Sequence, residues 1–147
     1  MQIWAFMYLS HIMSREFCAM ENTGILKPNG VILEEHEYAT VLVLTQYGYD
    51  VELLSASPEK GSKSPDILMN GLYWEMKSPQ GKGKWVIKNI MQKASHQAEN
   101  LIIDLRRLKQ LPQEKYINEV LQRFEAIKRF KRLKIIGKGK IFLEIEK

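Results

Sequence analysis

The pair Asn70-Gly71 inside SPDILMNGLYWEMKSP (residues 64–79) constrains this chain more than any other feature. Asn-Gly between apolar runs marks a two-residue hairpin, because both residues accept the positive φ of a type I′ turn. A two-residue loop fixes the register. Met69 then pairs with Leu72, and Asp66 falls opposite Glu75. Lys77 lies two residues beyond Glu75 on the same face, because strand side chains alternate. Ile67, Met69, Leu72, Trp74 and Met76 occupy the other face, and all are apolar. One face is therefore core and the other carries Asp66, Glu75 and Lys77. Carboxylates directly opposite each other sit with Cβ atoms roughly 5 Å apart and destabilise the strand pair. A hard divalent cation taking oxygens from both would offset that repulsion. Neutralisation by Lys77, or a solvated face with an ordinary cross-strand ion pair, would also do so.

The remaining chain reads as alternating helix and strand. A helix is expected from about Leu33 to Tyr47, ended by Gly48, then a strand from Tyr49 to Leu54. The polar SASPEKGSKS leads into the hairpin, and PQGKGK forms a basic loop after it. WVIKNIMQKASHQAEN reads as a second helix and LIIDL as a buried strand. PQEKYINEVLQRFEAIKRFKR reads as a long amphipathic helix, and LKIIGKGKIFLEIEK as a hairpin turning at Gly137 to Gly139. Helix, three strands, helix, strand, with additions at both ends, is an α/β or α+β arrangement around a mixed central sheet flanked by helices. A chain of 147 residues suits one domain spanning 1–147. Its parts are an apolar leader at 1–30, a core at 31–108, and a basic helix with terminal hairpin at 109–147.

Charge narrows the class of partner. The net charge is +5, and twelve Lys and Arg residues fall between Arg106 and Lys140 against acids only at 114, 119 and 125. That balance suits a polyanion such as nucleic acid, or else a solvated helix face. Cys18 is the single cysteine, which excludes an intramolecular disulfide. The opening MQIWAFMYLSHIM reads as a packing helix, a dimer contact or a non-native leader. It lacks the basic lead and cleavage site of a signal peptide and is too short to span a bilayer, so no membrane partner is expected.

Pro65-Asp66 opening one strand and Glu75-Met76-Lys77 closing the next resemble the PD-(D/E)xK nuclease superfamily. With EHEYATVLVLTQYGYDVELL before them and IKNIMQKASHQAENLIIDLRRL after, residues 34–108 resemble the C-terminal RNase domains of contact-dependent growth inhibition (CdiA-type) toxins and related phage or mobile-element nucleases. The resemblance implies a nuclease-like core of order αβββαβ. It implies a metal-dependent endonuclease acting on RNA, tRNA in first place, ahead of DNA. Asp66 and Glu75 would bind Mg²⁺ or Mn²⁺, with Glu37, or in second place Glu34, completing the metal shell. Lys77 would orient or deprotonate the attacking water, and Gln92 would help to position it. An immunity protein is a candidate partner. The site of action would be cytoplasmic, reached by delivery into a target cell if the protein is a toxin. A DNA endonuclease of restriction or repair type, and a non-catalytic nucleic-acid-binding module on the same fold, remain the alternatives.

Several further residues suit a nucleic-acid contact. Lys88, Gln92 and His96 follow at one-turn spacing and share a helix face. Lys82 and Lys84 bring charge to the Gly-rich loop, which lacks the spacing of a nucleotide-triphosphate site. Ser78 could touch the backbone. Trp85 either stacks on a base or, more commonly for a tryptophan opening a helix, joins the core, to which Trp74 belongs outright. Glu35 reads as solvent-facing, and His11 and His36 have no evident partner.

Overall fold

A computed structural model describes residues 23–56, 58–59 and 64–147. The expected helical leader, His11 and Cys18 lie outside the described residues. The elements are β1 (Leu26–Lys27), α1 (Glu35–Gln46), β2 (Val51–Leu53), β3 (Ile67–Met69), β4 (Leu72–Lys77), α2 (Val86–Gln97), β5 (Asn100–Asp104), α3 (Gln113–Ala126), β6 (Arg132–Gly137) and β7 (Ile141–Glu146). The strands form one sheet in the order β1 to β7. β1–β2, β4–β5 and β5–β6 are parallel, and the other neighbours are antiparallel. The expected mixed sheet with flanking helices, and the core order αβββαβ, are both present.

Three layers follow from the distribution of apolar side chains. Val41 and Leu44 of α1 pack with Val51, Ile67, Met69, Trp74, Ile102 and Ile136 on one face. Ile87, Met91 and Ala94 of α2 and Tyr116, Val120 and Phe124 of α3 pack with Leu101, Ile103, Leu133 and Ile135 on the other. β5 is buried along its whole length, because helices cover it on both sides.

The hairpin adopts the expected register, with Met69 opposite Leu72, Leu68 opposite Tyr73 and Ile67 opposite Trp74. Asn70 and Gly71 have φ of 54° and 71°, the left-handed values that a type I′ turn requires. Gly48, at φ 86°, ends α1 as expected. The closing hairpin turns between β6 and β7, with Gly139 at φ 71°.

Boundaries differ where local chemistry competes with periodicity. The first helix begins at Glu35 rather than Leu33, because Glu34 is extended at φ −69° and ψ 158°. The long amphipathic segment stops being helical at Ala126 rather than running to Arg132. Lys147 Nζ donates to the carbonyls of Phe124 and, at 3.0 Å, Ile127, which closes that helix end. Phe130 then folds back to stack on Phe124, with centroids 6.2 Å apart. The turn-rich connector TGILKPNG contains the two-residue β1. Gly24 is needed there, because a Cβ would lie 1.9 Å from the Tyr49 carbonyl oxygen.

Candidate active site

β4 carries the core of the site. Trp74 is 3% exposed, donates from Nε1 to the Met69 carbonyl at 3.2 Å, and faces α1. Alternation sends Glu75 and Lys77 to the opposite face, the side of their register partners Leu101 and Ile103. Glu75 is only 1% exposed, which excludes a solvated face. Lys77 Nζ forms a close ion pair with Glu75 Oε1 while its side chain keeps 22% exposure. Asp66 sits at a bend immediately before β3, and its Oδ2 accepts a hydrogen bond from the Met76 N–H at 2.7 Å. The carboxylate thus reaches across to β4 beside Glu75, as the turn register dictates.

The electrostatics are those of two carboxyls forced together out of water. Burial pushes Glu75 up to about 7 from an ordinary 4.5. The hydrogen bond from Lys77 opposes the rise and the Asp66 charge adds to it. Burial also raises Asp66, against the Met76 N–H and Lys77, with Glu37 adding to the rise. Glu75 Oε2 is buried with no hydrogen-bond partner. Two carboxyls held side by side, both raised above their usual range and one with a buried oxygen left without a partner, form a donor set that suits a hard divalent cation. Mg²⁺ is commonly held by one or two carboxylates together with waters and substrate phosphate.

Glu37 stands outside this pair. Its Oε2 accepts from the Glu34 N–H at 2.9 Å, which serves the start of α1. Its charge still acts on Asp66. Among the described residues no three His, Cys, Asp or Glu side chains gather as a metal cluster. Glu34 instead lies 3.3 Å from His36 Nδ1. Lys88, Gln92 and His96 are exposed along α2, and Lys82 and Lys84 are exposed in the preceding loop. Among the described residues no hydrogen bond or ion pair joins any of these five to Asp66, Glu75 or Lys77.

Three polar residues were missed in the sequence. Asp104, 2% exposed at the end of β5, accepts from Thr40 Oγ1 at 2.8 Å and from both Arg106 Nε and Nη2, the latter at 2.6 Å. Arg107 Nη1 donates to the Ser78 carbonyl at 3.0 Å, and Nη2 bonds Gln80 Oε1 closely. Arg107 therefore ties down the segment that follows Lys77. These residues, with Glu35, His36 and Ser78, line an open cavity of 460 Å³ at the C-terminal ends of β4 and β5. The only signal was a polar residue ending an apolar strand before two arginines. The basic region is also more structural than its composition suggests. Arg106, Arg123, Lys131, Arg132 and Lys134 are ion-paired with Asp104, Glu119, Glu99, Glu146 and Glu144.

The sequence model for the contact-dependent growth inhibition CdiA C-terminal domain matches residues 63–141, more than half of the chain. The chain belongs to that family. The match begins just before Asp66 and ends in β7, so it takes in the whole Asp66–Glu75–Lys77 group, α2 and α3. No curated protein matches the chain. Among solved structures, the CdiA-CT/CdiI toxin and immunity complex from Burkholderia pseudomallei is similar in fold. The TM-score is 0.55 at 22% identity, covering 84% of this chain and 100% of that one.

Proposed function

We propose that this CdiA C-terminal domain is a metal-dependent nuclease of PD-(D/E)xK type that hydrolyses phosphodiester bonds in RNA, with tRNA the first substrate to test. The observation that carries the reading is the buried Glu75, pushed up to about 7 with one oxygen unpartnered, beside Asp66 and Lys77. A purely structural ion pair would leave neither a second carboxyl in the same pocket nor an orphaned buried oxygen.

Asp66 and Glu75 are the residues that would hold Mg²⁺ or Mn²⁺, with Glu37 near enough to join through its charge. A divalent cation there would stabilise the negative charge that develops on a phosphate during hydrolysis. The chain's own residues do the rest. The Met76 N–H fixes the orientation of Asp66. Glu75 fixes the Lys77 ammonium at a partly open position, where it can orient water or take charge from a phosphate. Gln92, Lys88 and His96 on α2, and Lys82 and Lys84 before it, are assigned to the nucleic-acid backbone. The toxin–immunity neighbour supports an immunity protein as partner, and membership of the contact-dependent growth inhibition family supports a toxin, whose site of action would be the cytoplasm of a target cell. No helix among the described residues is long and apolar enough to cross a membrane.

The test is a side-by-side digestion of total tRNA and duplex DNA with Mg²⁺ and with EDTA. The reading expects loss of intact tRNA in Mg²⁺ alone. Equal cleavage in EDTA would remove the metal, and cleavage of DNA alone would replace RNA by DNA as substrate.

A further inference from the structure

The segment between the site and α2 carries a feature that hydrolysis alone does not require. Residues 80–85 (Gln-Gly-Lys-Gly-Lys-Trp) are exposed without interruption. They begin where Arg107 pins Ser78 and Gln80, three residues after Lys77. They end at Trp85, which is 53% exposed. Of the two readings open to this tryptophan, stacking on a base or joining the core, its exposure excludes the second.

Trp85 also occupies a costly place. It is the N-cap of α2 and makes no side-chain capping hydrogen bond. Its backbone, at φ −102° and ψ 9°, is not in the extended conformation usual for an N-cap, and its ring offers no oxygen to a free N–H. Such local penalties concentrate at functional positions. The ring gathers charge as well, with Lys84 Nζ and Lys88 Nζ each 5.0 Å from its centroid. Two ammonium groups held at one ring repel each other. A phosphate can draw the two ammonium groups off the ring, and a flat π-system then takes the face that they cover. One ligand offers both, a nucleotide with an unstacked base.

We propose that Trp85, flanked by Lys84 and Lys88 and eight residues along the chain from Lys77, is a stacking platform for an unpaired base of single-stranded RNA. Bases in a duplex are already stacked and cannot reach it, so the platform selects loops and single strands. The occupant rests on the nucleic-acid reading above, but the platform can be tested without cleavage.

The experiment measures anisotropy of a labelled 12-nucleotide single-stranded RNA and of its blunt duplex. The protein is the full chain carrying Asp66→Ala in Mg²⁺-free buffer, with or without Trp85→Ser or Trp85→Tyr. The serine variant is expected to weaken single-strand binding at least about fivefold, the low end for loss of an aromatic stacking partner. Its effect on the duplex is expected to stay within about twofold. Trp85→Tyr is expected to retain most of the single-strand affinity. Because the Trp85 ring is exposed, Trp85→Ser should leave Tm nearly unchanged, which a tryptophan needed for packing would not allow. Equal weakening for both RNAs, no weakening for either, or a marked fall in Tm would overturn the platform. Selective binding by a protein that cleaves nothing keeps the platform and removes the nuclease. Cleavage by a protein whose binding ignores Trp85 does the reverse.

Discussion

Replacing Glu75 by glutamine isolates the electrostatic heart of the site. The side chain keeps its shape and can still accept a hydrogen bond from Lys77, but it no longer titrates. Wild-type Glu75 rises from 4.5 in the ordinary state to about 7 when folded. At about 1.4 kcal/mol per pKa unit, that difference is worth about 3 kcal/mol. The sign follows from proton binding. The folded state holds the proton more tightly, so the contribution is fully present below pH 4.5. It is lost as pH rises through about 7, and well above that Glu75 contributes no further change. The Gln variant has no such loss. Urea denaturation of metal-free wild type and Glu75→Gln, from pH 4.5 to 8.5, should therefore give diverging curves. The variant gains about 3 kcal/mol relative to wild type across that window, and the divergence is complete by about pH 8. Mg²⁺ added at pH 8 should stabilise wild type and leave the variant nearly unchanged, because a ligand of the native state shifts stability by mass action. Profiles that stay parallel to within about 0.5 kcal/mol would refute the buried-carboxyl argument.

Other perturbations test the scaffold around the pair. Lys77→Met removes the group that opposes the rise of Glu75, so the midpoint of the wild-type stability loss should move above pH 7. Trp74→Ala should cost about 3–5 kcal/mol by chemical denaturation, as for other large core aromatics. Gly71→Ala should cost about 1 kcal/mol from its φ of 71° alone, since nothing lies within 4 Å of the added Cβ. A cost near zero would show that the turn is not the one that sets the register.

How much of this was legible in the sequence depended on whether the signal was local. The Asn70-Gly71 turn fixes its register through two adjacent residues, so Asp66 could be placed against Glu75 from spacing alone. Alternation then separated Trp74 from Glu75 and Lys77. Neither the burial of Glu75 nor its rise to about 7 was legible. Both arise from the layers that helices build on the two faces of the sheet. β1 was invisible because two residues carry no periodicity. Asp104 with Arg106 and Thr40, and Lys134 with Glu144, come together from distant parts of the chain. Composition therefore showed a basic region where the fold makes internal ion pairs. Trp85 stayed open between two readings because its type favours burial, while its place at the start of α2 turns it to solvent.

The central claim is that Asp66, Glu75 and Lys77 act as one phosphodiesterase centre. It is tested most directly by incubating total tRNA and Mg²⁺ with wild type and with Asp66→Ala of matched thermal stability. The account predicts that intact tRNA disappears with wild type and persists with the variant. Equal loss of tRNA with both proteins would contradict it.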